Sequence, residues 1–83
     1  MGYIMKLSTS MTTSLRSEEY RNMIKRLKEV RLSLRLSQVE VAQRLKKPQS
    51  YISKTENGER RIDATELANL VKVYKKNVNF FLR

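Results

Sequence analysis

The side chains that could do chemistry in this sequence are hydrogen-bonding groups and cations rather than catalysts. Among its 83 residues there is no histidine and no cysteine. That removes the commonest general base, the commonest metal ligand, thiolate sites and disulfides. Ser, Lys and Tyr are present, but no set of nucleophile, base and orienting group can be assembled from them. The chain is therefore not read as an enzyme, and no cofactor or metal is expected. What stands out is a cluster of polar groups, Gln49, Ser50, Tyr51, Ser53 and Lys54, around one apolar residue, Ile52. Its amide, hydroxyl and ammonium groups suit a polar edge brought against them. The balance of 18 basic and 8 acidic residues, a net charge of +10, calls for a polyanionic partner. Nucleic acid, an anionic membrane and an acidic protein all meet that description, and charge alone does not choose among them.

These groups must be positioned by helices, because the apolar residues recur at three and four. A first helix is predicted from about Ser17, an N-cap residue followed by Glu18 and Glu19 in the first turn, where the helix dipole favours acids. Tyr20, Ile24, Leu27 and Leu34 share one face of it, with Met23 and Val30 beside them. Lys25, Arg26, Lys28 and Arg31 flank this stripe and read as a solvated basic face. Residues 1–16 differ in character. Gly2 to Leu7 is weakly strand-like and Ser8 to Ser14 is Ser/Thr-rich with coil character, so 1–16 is read as a tail, or as an arm toward DNA or a second subunit. The domain proper is 17–83.

A second helix is predicted to open at Ser37, where Ser37 and Glu40 have the spacing of a capping box. Val41, Ala42 and Leu45 form its apolar side. Lys46-Lys47-Pro48 breaks the run, and Pro48 suits the entry to a third helix that ends at Glu56 before Asn57-Gly58. Asp63 and Glu66 form another capping-box pair. They open a fourth helix with Leu67, Leu70, Val71 and Tyr74 inward, ending at Lys75-Lys76-Asn77. Val78 to Leu82 is long enough for one more apolar turn. The expected fold is all-α.

Two short helices joined by a tight turn in a basic all-helical domain follow the helix-turn-helix plan. Its second helix must offer polar side chains to a groove and lock inward through an apolar anchor, here Ile52 against the small Ala42. Leu36-Ser37-Gln38 through Glu56-Asn57-Gly58, and above all Pro48 to Asp63, resembles the Cro-repressor, or XRE, family of helix-turn-helix regulators. The likeness extends from about Ser17 to Leu82. It implies a compact five-helix domain of the phage-repressor-like type, whose third helix reads the major groove of double-stranded DNA. Carried over by position, Gln49, Ser50 and Lys54 match base-reading residues; glutamine can pair with adenine and lysine with guanine. Gln38 matches a residue that grips a phosphate with the helix amides, and Asn57 matches another backbone contact. Lys47, Ser53, Arg60 and Arg61 are expected on the same phosphate-facing surface, although Arg60 and Arg61 could instead pair with Glu59 or Asp63. Tyr51 could pack on the sugar-phosphate backbone or sit half buried.

The sequence departs from the family pattern at four positions. Lys46 stands where the turn commonly has glycine, and a left-handed conformation at Lys46 would cost roughly 1–2 kcal/mol; Arg35 stands where glycine often ends the first helix. Lys47 and Thr55 replace residues that are usually apolar, and Thr55 is expected to weaken packing of the reading helix. One such module makes few base contacts, so a homodimer on a palindrome is expected, joined through Val78, Phe80, Phe81 and Leu82; alternatively, Phe81 and Leu82 close the monomer core. The implied function is transcriptional regulation, most naturally repression. An alternative is an antitoxin, or a controller in a restriction-modification or mobile-element system, that also binds a protein partner such as a toxin. No apolar run approaches the roughly 18 residues of a membrane span, and Met1 to Leu7 lacks the pattern of a signal peptide. A cytoplasmic protein with no membrane partner is the expectation.

Overall fold

The computed structural model describes the backbone of residues 9–82 and the side chains of 18–82. The weakly strand-like run at Gly2 to Leu7 lies outside the described residues. Among the described residues five helices follow one another: α1 (Thr9–Ser33), α2 (Gln38–Leu45), α3 (Gln49–Glu56), α4 (Ala64–Tyr74) and α5 (Val78–Leu82). α2 packs on α3 and α4, while α1 packs on α3 and α5. The core gathers Met23, Ile24, Leu27 and Val30 of α1, Val41 and Ala42 of α2, Ile52 of α3, Leu70 and Tyr74 of α4, and Phe81 of α5. All five helices thus contribute to one core.

The first helix begins well before the expected Ser17, so residues 9–16, read as tail, are helical. No glycine or proline falls between Gly2 and Pro48. Once the packed half of α1 has paid for nucleation, each further residue adds a backbone hydrogen bond. Serine and threonine oppose this by only a few tenths of a kcal/mol each. A capping residue permits a start without enforcing one. At the other end, Leu34 falls beyond the helix and is 42% exposed, so it is not part of the inward stripe.

The expected boundaries of α2 and α4 are set by local bonds. Ser37 accepts from the Glu40 amide at 3.0 Å while the Glu40 carboxylate accepts from the Ser37 amide at 2.8 Å. Asp63 and Glu66 repeat this exchange at 2.8 and 2.9 Å. Pro48 is the N-cap of α3, where its missing N–H leaves nothing unsatisfied.

Helix ends are built alike at four places. The amides of Leu36, Lys47, Glu59 and Lys76 reach back five residues to the carbonyls of Arg31, Ala42, Lys54 and Val71. Each such turn needs a left-handed residue just before the donor. Gly58 supplies one, at φ 76°; Arg35, Lys46 and Lys75 supply the others, at φ 59°, 57° and 56°. Three long cations therefore hold a conformation that favours glycine. Their charge lies near the negative ends of the helix dipoles, which offsets part of the strain.

Candidate nucleic-acid interface

α2 and α3 are joined by the turn Lys46 to Pro48, and their facing sides are shut by Val41, Ala42 and Ile52, all at 2% exposure or less. With that side closed, α3 turns Gln49, Ser50 and Lys54 to solvent, and Ser53 is half buried beside them. Lys47 and Asn57, before and after the helix, are also exposed.

A chain of side-chain bonds runs from this surface into the core. Gln49 Nε2 donates to Gln38 Oε1 at 2.7 Å. Gln38 Nε2 donates to Glu56 Oε1 at 3.0 Å. Glu56 in turn accepts from Arg31 twice, Nε to Oε2 at 2.6 Å and Nη2 to Oε1 at 3.0 Å. The remaining Arg31 nitrogen, Nη1, donates to the Leu36 carbonyl at 2.8 Å. The ion pair is shielded, with side-chain exposures of 8% for Arg31 and 4% for Glu56. Hydrogen bonding to Glu56 raises the Arg31 pKa above its ordinary value and outweighs burial, which acts the other way.

Arg31 was expected on a solvated basic face, and the structure corrects this. It stands four residues after Leu27, in register with the inward stripe Tyr20, Ile24 and Leu27. The spacing was legible in the sequence. The identity of its partner, 25 residues later, was not.

The loop between α3 and α4 has its own clamp. The Tyr20 hydroxyl accepts from the Ile62 amide at 2.8 Å and donates to the Arg60 carbonyl at 3.4 Å. The Arg61 guanidinium lies 4.3 Å from the centre of the Tyr20 ring. Arg60 is tied down instead: Nη2 donates to Glu66 at 2.8 Å and Nη1 to Thr55 Oγ1 at 3.2 Å. Its guanidinium also stacks 4.2 Å from the centre of the half-buried Tyr51 ring, and Lys47 Nζ sits 5.4 Å from the same centre. Burial pushes the Tyr51 phenol up, with Glu66 adding to the effect. The hydrogen bond from Arg60 holds the Glu66 carboxyl below its ordinary value.

Thr55 was expected to weaken α3. It is 2% exposed, yet its hydroxyl donates to the Tyr51 carbonyl at 2.7 Å and accepts from Arg60. A buried hydroxyl with both roles filled carries no desolvation penalty for an unmet bond.

The family model for the helix-turn-helix, HTH_3, matches residues 27–81. The chain belongs to the XRE family of helix-turn-helix proteins. A solved structure from Pseudomonas syringae pv. tomato str. DC3000, an XRE-family like protein, is similar to it at 32% identity, with a TM-score of 0.83 over 89% of this chain and 90% of that one. No curated protein matches the chain. As a member of the XRE family the protein is a DNA-binding transcriptional regulator. α2 and α3 both lie inside the matched stretch, with Gln49, Ser50 and Lys54 on the exposed side of α3. Among the described residues no helix is long and apolar enough to cross a membrane.

The α5 residues expected at a dimer surface divide sharply. Phe81 is wholly buried in the monomer and offers nothing to a partner, because α5 folds back on α1 and uses that ring to close the core. Phe80 is half buried and meets Phe81 edge to face at 5.2 Å between ring centres. Val78 and Leu82 remain outside, 38% and 60% exposed.

Proposed function

We propose that this protein is a repressor that binds a palindromic operator as a dimer. The observation that carries the reading is the exposed Gln49, braced through Gln38 to the buried Arg31–Glu56 pair. A base-reading amide already held in place loses less freedom on binding. Gln49 then pairs with an adenine edge, Lys54 donates to a guanine, and Ser50 bonds either base. Gln38 serves both as the brace and, with the first amides of α2, as a phosphate grip. Lys47, Ser53, Asn57, Arg60 and Arg61 contact the backbone and set register. Arg60 has the weakest case for direct contact, since Glu66 already takes its charge. Its main work is to hold Tyr51 and the loop.

The dimer joins through Val78 and Leu82 with Phe80 beside them, and the two reading helices enter major grooves about one turn apart, roughly 34 Å. Repression follows by occupying the promoter. The test is selection of bound sites from a random duplex library at physiological salt. An enriched inverted repeat with half-sites one turn apart supports the reading. A single half-site, or no enrichment with binding that fades as salt rises, refutes it.

A further inference from the structure

We infer that the groove between α1 and the loop after α3 is a second track for duplex DNA, which takes backbone phosphates beyond the stretch that α3 meets. This rests on the DNA-binding reading above. The groove encloses about 550 Å³. One wall carries Arg21, Lys25 and Lys28 of α1, and Arg61 stands on the other. All four are exposed. Positions 21, 25 and 28 are four and three apart and share one helix face. At 1.5 Å per residue they make a line of charge about 10 Å long.

Nothing in the groove neutralises it. The ion pairs among the described residues are Arg31–Glu56 and Arg60–Glu66, so none of the four cations has an acidic partner there. Glu56 lines the groove, but its oxygens are committed to Arg31 and Gln38. The floor is Ile24 and the Tyr20 ring, which carries Arg61 while its hydroxyl pins the loop to α1. The Tyr20 hydroxyl thus ties one wall of the groove to the other. It is also continuous with the exposed surface of α3, since Asn57, the C-cap of that helix, and Gly58 after it both belong to its lining. A strand held at Asn57 runs on between these cations. Three charges in line, with a fourth across the groove and no acid paired to any of them, suit a polymer of phosphates better than a small anion, which fills one or two of them.

The experiment compares three proteins on a long duplex carrying the selected site, by fluorescence anisotropy across a salt series. They are the parent, Arg21→Gln/Lys25→Gln/Lys28→Gln, and a control with the same charge loss away from the groove, Arg44→Gln/Lys72→Gln/Lys75→Gln. Glutamine keeps the helix propensity of the residues it replaces. The groove variant is expected to lose about 2–3 from the slope of log affinity against log salt, at about 0.9 per phosphate. It keeps the parent's sequence preference, and the control changes the slope by less than about 1. Should the triple variant fail to fold by circular dichroism, Lys25→Gln and Lys28→Gln alone are each expected to lose about 1. A parent that reads its site while the groove variants keep its slope, or shift it no more than the control, overturns the track alone. A parent with no sequence preference overturns the DNA-reading proposal and the track with it.

Discussion

Glu56→Ala is expected to destabilise this domain by about 3–5 kcal/mol, because it strands the Arg31 guanidinium in the core. The pair is bidentate, at 2.6 and 3.0 Å, and both side chains are over nine-tenths buried. Removing the acid leaves a buried charge with only the Leu36 carbonyl as partner. A domain of this size has roughly 4–12 kcal/mol in total at 0.05–0.15 kcal/mol per residue, so the loss is a large fraction of what exists. At roughly 4–8 °C per kcal/mol, the melting temperature falls by at least about 12 °C. Denaturant unfolding followed by circular dichroism measures the change. The companion is Arg31→Met/Glu56→Leu, which removes both charges and keeps the volume filled; it is expected to recover most of the loss. That double variant still deprives Gln38 of its acceptor, so it separates folding from reading: stable protein, relaxed preference at the base met by Gln49. A loss below about 1 kcal/mol for Glu56→Ala, or a double variant no better than the single, would refute the argument that uncompensated burial governs this site.

Gln49→Ala is expected to lose about 1–3 kcal/mol of discrimination at one base position, whereas Gln38→Ala removes both the brace and the phosphate grip, so it weakens every site and also relaxes that same position; a panel of single-base operator variants reads both. Lys46→Gly and Lys75→Gly should each stabilise by about 1 kcal/mol, since both residues are left-handed, while the same change at helical Lys72 should destabilise by about 1 kcal/mol; thermal melts of the three distinguish conformation from charge. The Arg60 hydrogen bond lowers the Glu66 pKa from its ordinary 4.5, so that contribution is complete above about 4.5 and fades as pH falls through the lower folded-state value. Melting temperature plotted against pH should show this acid limb, shallower in Glu66→Gln; an equal limb in that variant would remove Glu66 from the account. Leu82→Ser, at a side chain 60% exposed, should shift the protein toward monomer in sedimentation without lowering its melting temperature as monomer.

What was legible in the sequence were features made by residues close along the chain. The Ser37–Glu40 and Asp63–Glu66 boxes, the entry at Pro48 and the exit at Gly58 each depend on neighbours three to five apart, and spacing alone exposes them. The order of α2 to α5, the inward faces of Leu27, Ile52, Leu70 and Tyr74, and the outward Gln49, Ser50 and Lys54 follow from helical periodicity. The identity of a contact across helices has no such signature. That Arg31 is buried on Glu56, that Thr55 finds a donor in Arg60, and that Phe81 rather than Leu82 closes the core were decided only when the helices met. The early start of α1 belongs with these: its residues carry a weak local preference, and a helix already nucleated by its packed half overrides it. Local backbone bonds can be read from a string of residues, but the burial of a charge depends on which surface closes over it.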